Sequence, residues 1–266
     1  MKLAELIALY SPLDIEYNEA LSGPYIDLSE YDGDNEIVVG MKEGKLSGFW
    51  RPIVAVGSEK FLKAQCERLW LISDDWYYLD FLIDGELSVV SKFLLKHGYR
   101  AKPVYTQMID LTQTVRQLHL GLRKSYKSLV NKKEGIHSIS IKEFQELHER
   151  VKEKKRPQET WDIQAKMKHA ISRQGDCAVM FYQNEDGTAY YASAVGDNVH
   201  ALIWHAIEKF NNFCFKLVEL GEQVYFPGQI MQDGKPATEK NVNISHFKAG
   251  FGGKTSTRLI LDKPHS

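Results

Sequence analysis

Glu239-Lys240-Asn241-Val242-Asn243-Ile244-Ser245-His246-Phe247-Lys248-Ala249-Gly250-Phe251-Gly252-Gly253, leading into the strand-like Thr257-Arg258-Leu259-Ile260-Leu261, is the stretch on which the reading of this chain turns. It is polar and positively charged, yet it carries two phenylalanines and three glycines. Glycine frees the backbone for positive φ and for close approach of another group. Lys248 stands between Phe247 and Ala249, a point charge beside apolar surface. That placement suits an anionic ligand, or negative charge developing in a reaction, better than it suits a core. On residue chemistry alone, the stretch also reads as a loop that closes onto a last strand and leaves its lysine in water.

The chain around it has 266 residues, enough for one large domain or two of ordinary size. With 43% hydrophobic and 26% charged residues and no low-complexity run, it is expected to fold. No apolar run approaches the ~20 residues of a membrane-spanning helix. The start, Met1-Lys2-Leu3-Ala4-Glu5-Leu6, is amphipathic, with an acid too early for a secretory signal. Cys66, Cys177 and Cys214 are scattered and lack paired metal-ligand spacing, so a reduced, cytoplasmic setting without a bound metal is expected. The net charge of −1 conceals an asymmetry. Residues 1–90 hold 7 Lys and Arg against 17 Asp and Glu, whereas residues 116–168 hold 14 against 7. The middle of the chain thus offers a positive face for phosphate, whether of a nucleotide sugar, coenzyme A or tRNA. A solvated helix surface has the same composition.

Strand-like and helix-like segments alternate throughout. Glu36–Met41, Gly48–Val56, Trp76–Ile83 and Val104–Leu111 read as strands. Ser58 caps a helix with Phe61, Leu62, Cys66, Leu69 and Trp70 at helical spacing, and Leu87–His97 is a second helix ended by Gly98. Thr112 or Thr114 opens a long basic helix through Val130, followed by a strand at Ile136–Ile141. Lys142–Lys155 and Thr160–Arg173 are expected to be helical. Strands then follow at Cys177–Tyr182 and Ala189–Val195, a helix at Val199–Phe210, and strands at Cys214–Leu220 and Lys254–Leu261.

Six segments in this order resemble the Fem-type peptidyltransferases and their relatives of acetyltransferase (GNAT) fold. Leu122-Arg123-Lys124-Ser125-Tyr126-Lys127-Ser128-Leu129 resembles that family's basic helix. Arg156-Pro157 with Thr160-Trp161 resembles its arginine-proline-(x)-tryptophan segment. Tyr190-Tyr191-Ala192-Ser193-Ala194 looks like its central strand, and Ala201-Leu202-Ile203-Trp204-His205-Ala206-Ile207 like the helix that follows. Leu217-Val218-Glu219-Leu220-Gly221-Glu222 resembles the next strand and turn, and Ile244 to Gly253 the closing signature. The resemblance implies a mixed α/β sheet in two fused GNAT-like lobes, residues 1–111 being small and degenerate and residues 112–266 carrying the active site.

It further implies an acyltransferase moving an acetyl, aminoacyl or related group onto an amine or hydroxyl of a cell-envelope or other sugar precursor, peptidoglycan precursors included. No cofactor would be held permanently; acyl-CoA or aminoacyl-tRNA would be the donor. The chain departs from the family in three ways. It lacks the Arg/Gln-x-x-Gly-x-Gly/Ala loop of ordinary GNAT enzymes and the long coiled-coil insertion of some Fem proteins. It also leaves only eight residues between Phe181 and Tyr190, where the family fits a further strand. That short connection favours the alternative, a catalytically impaired protein that binds a nucleotide sugar or a protein partner.

Candidate site residues follow from both readings. The resemblance puts Lys248 against the donor, in contact with a carrier phosphate or the tetrahedral intermediate. His246 would serve as a base or as a hydrogen-bonded structural histidine. Glu219 or Glu222 would accept a proton from the attacking group or hold the acceptor. Arg156 beside Trp161 pairs a guanidinium with an aromatic platform, suited to phosphate or sugar. Tyr190 and Tyr191 alternate along a strand, so one of the pair faces the cleft; Tyr191 is the candidate. Gly196 and Asn198 precede a helix whose free N–H groups would meet phosphate, with Asp197 or Asn198 as its cap. Phe247, Gly250 and Gly252 belong to the closing signature. Arg123, with Lys124 and Lys127, would contact an acidic acceptor or RNA. No cysteine or serine lies in a nucleophile motif, so direct attack is expected.

Overall fold

A computed structural model describes residues 26–47, 53–80, 86–152, 156, 158–166, 168–183, 187–231 and 234–263. Its contacts divide the chain into two units, one of residues up to 104 together with those from 257 onward, the other of residues 105–256. The boundary expected from the sequence, between 111 and 112, falls a few residues later, and the expected second lobe kept the C-terminal strand whole.

The smaller unit carries β1 (Ile26–Asp27), β2 (Glu30–Asp32), β3 (Asn35–Val38), β4 (Gly40–Lys42), β5 (Lys45–Ser47), β6 (Val54–Val56), α1 (Glu59–Ile72), β7 (Asp75–Trp76), β8 (Tyr78–Asp80) and α2 (Val89–Lys96). The strands form a three-stranded sheet in the order β2-β3-β6 and a four-stranded sheet in the order β1-β4-β5-β7. Ser58 caps α1 by accepting from the Phe61 N–H, as its sequence predicts. Leu62, Cys66 and Leu69, spaced for one helix face, are buried. Cys66 and Leu69 join a core with Ile37, Leu46, Trp76 and Leu94. Burial pushes the Cys66 thiol up to about 12, which leaves it a packing group. Asp80 is buried and accepts from the Ser88 N–H at the start of α2 and from the Ser91 hydroxyl. Residues 48–52 and 81–85, parts of two expected strands, lie outside the described residues.

The larger unit is built on β9 (Arg100–Asp110), α3 (Val115–Gly121), β10 (His137–Ser138), α4 (Ile141–Lys152), α5 (Gln158–Lys166), β11 (His169–Gln174), β12 (Cys177–Gln183), β13 (Thr188–Val195), α6 (His200–Asn212), β14 (Leu217–Gln223), α7 (Glu239–Ala249) and β15 (Lys254–Asp262), with the unit boundaries falling inside β9 and β15. Its strands run in the order β10-β11-β12-β13-β14-β9. All of these neighbours are antiparallel except β13 and β14, which are parallel and joined through α6. In the smaller unit, residues 259–261 of β15 pair antiparallel with β8.

Alternation along β12 explains the layering. Val179 and Phe181 join Leu202, Ile203, Trp204, Ile207 and Phe210 of α6 in one core. Ala178 and Met180 join Phe144, Leu147 and Trp161 of α4 and α5 in another. A strand buried on both faces reads as a continuous apolar run, and Cys177-Ala178-Val179-Met180-Phe181 is one.

Three expectations need correction. The helix expected to run to Val130 stops at Gly121 and gives way to a 3-10 turn at Lys124–Tyr126. There the Arg123 N–H donates to the Gly250 carbonyl, 2.9 Å away, so a tertiary partner replaces the helical one. The strand expected at Ile136–Ile141 shrinks to His137–Ser138, because Ile141 opens α4. The helix expected at Thr160–Arg173 ends at Lys166, and residues 169–174 form β11, hairpinned to β12. The sheet thus holds β11 before Cys177.

The closing glycines are packing devices. A Cβ on Gly250 would fall 2.3 Å from the Tyr126 ring, one on Gly252 2.8 Å from the Gly121 carbonyl oxygen, and one on Gly253 2.1 Å from the Met108 carbonyl oxygen. Gly253→Ala, with φ +80 and no room, is expected to cost ~2–4 kcal/mol in urea unfolding. Gly234→Ala has nearly the same φ, +81, but nothing within 4 Å, and should cost only ~1 kcal/mol. Equal losses in the two variants would remove the steric explanation.

Candidate functional site

β13 and β14 share only three register pairs, Thr188 with Leu217, Ala189 with Val218 and Tyr190 with Glu219. Beyond these, β13 runs on to Val195 and β14 to Gln223 without pairing with each other. On its other edge β14 stays paired with β9 as far as Gln223 and Tyr105, with a register shift between Glu219 and Gly221. The extra residue, Leu220, bends β14 where the parallel ladder ends, as a bulge does. Two strands that part in this way open a cleft whose walls carry backbone polar groups no longer used by the ladder.

α7 delivers Lys248 to that opening. Thr238 and Asn241 form a capping box, and Glu239 stands in the first turn. Ser245 is buried, its hydroxyl donating to the Asn241 carbonyl and accepting from the Val224 N–H just past β14. Lys248, one turn further along that helix face, therefore reaches β14. Its Nζ donates to the Glu222 carbonyl at 3.3 Å. Gly221, at φ +89, leaves the space for it: a Cβ there would meet Lys248 Nζ and Tyr190 Oη at 3.2 Å each. Burial lowers the Lys248 pKa, opposed by Glu222 and then Glu219. The ammonium is thus held in a half-buried place where an anion would be favoured. Glu219 is buried and accepts from the Thr106 hydroxyl at 2.6 Å.

The other candidate residues are distributed as follows. Tyr190, rather than Tyr191, brings its hydroxyl beside Lys248; Tyr191 packs on Phe181 with ring centroids 5.3 Å apart, and burial raises its pKa. His246 is exposed on α7 and, two residues from Lys248, lies on a different helix face. α6 takes Val199 as its N-cap with no side-chain cap bond, so neither Asp197 nor Asn198 plays the expected capping role. Asn198 Oδ1 lies 3.2 Å from His200 Nδ1 instead. Gly196 is required by packing, for its Cβ would lie 2.5 Å from Cys177 Sγ. Phe247 joins Tyr126, His200 and Phe251 in an aromatic cluster, in which burial lowers the His200 pKa. Arg123 donates to the His246 carbonyl at 2.8 Å in the last turn of α7, a helix C-terminal partner for a cation. Arg156, between α4 and α5, sets its guanidinium over the Trp161 ring of α5 and donates to Ser193 Oγ of β13. Arg258, in the closing strand, is buried.

Residue periodicity missed α7 because its apolar residues form no stripe. Thr238 with Asn241 three residues on, Glu239 in the first turn, and His246 and Lys248 in the last were the available signals.

No family model matches the chain, and no curated protein matches it. Three solved structures are similar to it. The C-terminal domain of a putative lysylphosphatidylglycerol synthetase from Agrobacterium fabrum gives a TM-score of 0.59 at 12% identity, covering 98% of this chain and 90% of that one. L-PGS from Bacillus licheniformis gives 0.61 at 11% identity, covering 96% and 93%. FemX gives 0.64 at 10% identity, covering 97% and 94%. Identities this low establish architecture and leave activity to the site itself. The chain has a mixed α/β fold of the Fem/GNAT-like type.

Proposed function

We propose that the chain is an acyltransferase that moves an aminoacyl or related acyl group from a phosphate-bearing carrier onto an amine or hydroxyl of a cell-envelope or sugar precursor. The observation that carries this reading is the parting of β13 from β14, with Lys248 Nζ and the Tyr190 hydroxyl both beside the side-chain-free Gly221. Acyl transfer develops negative charge on the carbonyl oxygen, and a fixed cation in a partly dry site stabilises that charge far better than water does. The acceptor's nitrogen or oxygen attacks the acyl carbon, a C–N or C–O bond forms, and the carrier's ester or thioester bond breaks. The acceptor's proton passes to a nearby carboxylate, Glu219 or Glu222, which hands it to the departing oxygen or sulfur, so that the carrier leaves as its alcohol or thiol and the carboxylate is regenerated. The name of one structural neighbour, a putative lysylphosphatidylglycerol synthetase, describes a lysyl group joined to phosphatidylglycerol, which supports an aminoacyl donor and an envelope acceptor. Acyl-CoA and aminoacyl-tRNA are the donors to test, and the open N-terminus of α6 at the end of β13 suits a carrier phosphate.

Incubation with acyl-CoA or aminoacyl-tRNA donors and with nucleotide-sugar or phospholipid acceptors, followed by mass spectrometry, should reveal an acylated product. Lys248→Met should lower kcat by ~100-fold or more; turnover at the wild-type rate would remove Lys248 from the mechanism. The same substitution should leave Tm at pH 7 equal to or above that of wild type. The sign follows from burial: a lysine whose folded pKa is lowered penalises the folded state while charged, and the penalty fades as pH rises through that pKa toward 10.5. The Tm advantage of Lys248→Met should therefore shrink in an alkaline series of melts, and a constant or growing advantage would contradict the account.

A further inference from the structure

On the sheet face that α4 and α5 cover, a group of polar atoms is set into the apolar layer of Phe144, Trp161 and Met180. Arg156 is half-buried, its guanidinium 5.0 Å above the Trp161 ring and its Nη2 donating to Ser193 Oγ at 2.9 Å. No carboxylate among the described residues pairs with it. Burial lowers its pKa, and the Tyr182 phenol opposes that effect. A guanidinium withdrawn from water without a counter-charge is uncommon, because removing it from water costs free energy that an anion normally offsets.

Beside it lie buried polar atoms in the same condition. His148 and Trp161 are 6% and 2% exposed. His148 Nδ1, Trp161 Nε1 and Gln164 Oε1 have no hydrogen-bond partner. The two rings lie 5.4 Å apart, and the Gln164 side chain also hydrogen-bonds Tyr182, which itself interacts with Arg156. Native interiors satisfy nearly all such atoms, so three orphans around a cation with no carboxylate partner among the described residues point to a missing group. Trp161 Nε1 can only donate, and a neutral histidine nitrogen donates in one tautomer. Two neutral donors beside a fork-shaped cation match the oxygens of an anion, and Gln164 Oε1 would accept from an N–H or O–H the ligand carries.

We propose that Arg156, Trp161, His148 and Gln164 form an oxyanion-binding site, separate from the Lys248 cleft, that takes a phosphate or carboxylate group on the guanidinium. Half-buried Arg156, Gln164 and Tyr182 form its rim, while Trp161, His148 and Ser193 form its buried floor. The site does not depend on the transfer reaction proposed above and can be tested without knowing the substrate.

Isothermal titration of the full chain with pyrophosphate, and separately with N-acetylglycine, at constant ionic strength provides the test. One or both should bind saturably, and which one binds separates a phosphate source from a carboxylate source. Arg156→Gln should weaken binding ~10-fold or more, because a bidentate charge-assisted contact is lost. Arg156→Lys keeps the charge without the fork and should fall between the two; it also serves if the glutamine variant does not fold. Lys248→Met should retain the Arg156-dependent part of the binding, whatever anion contact its own cleft loses. The Trp161 indole N–H resonance, identified by its absence in Trp161→Phe, should shift on titration. The proposal is overturned if neither anion binds, which would leave an ordered water as the occupant. It is equally overturned if Arg156→Gln binds like wild type, or if Lys248→Met abolishes binding.

Discussion

Two parallel strands that stop sharing hydrogen bonds at Tyr190 and Glu219 set the terms for the rest of the larger unit. Strands in a sheet satisfy their backbone through their neighbours, so an early divergence must be compensated from elsewhere. Here β9 keeps hold of β14 beyond the split, and Leu220 absorbs the mismatch as a bulge. Lys248 takes up the Glu222 carbonyl from α7. The opening is therefore supported on its β14 side by β9 and α7.

Those supports explain residues whose roles the sequence left ambiguous. Gly221 carries no side chain because the Lys248 amine and Tyr190 hydroxyl occupy the space beside it. Gly250, Gly252 and Gly253 carry none because Tyr126, Gly121 and Met108 press against their backbone. Arg123, a candidate for acidic ligands, is engaged in holding the end of α7 through the His246 carbonyl. The closing signature is thus a positioning device: its glycines and Arg123 dock the helix, and the docked helix presents the lysine.

Opposite faces of the same sheet do different work. The α6 face is an apolar and aromatic core, closed around Trp204, Phe210 and Phe251. The α4–α5 face mixes apolar packing with a guanidinium and unsatisfied polar atoms. Stability alone would favour apolar groups in that layer, since unpaired buried polar atoms are destabilising. Their retention in an otherwise well-packed layer is the kind of local inconsistency that marks a site.

Much of this was written in the chain itself. The apolar run from Cys177 declared a strand, Ser58 and one of Thr112 and Thr114 declared helix starts, and Gly98 marked a helix end. Local chemistry suffices for these because caps, turns and two-residue alternation act between near neighbours. Lys248 also stood out from the start, as a cation flanked by apolar groups in a glycine-rich stretch. Its neighbours did not. Which of Tyr190 and Tyr191 meets it depends on where β13 leaves β14, and the turning of residues 169–174 into β11 depends on pairing with β12. That α7 is a helix rests on a capping box and on Ser245 docking at Val224, with no apolar stripe to announce it. Contacts between residues far apart in sequence decide such matters, and no window of neighbouring residues contains them.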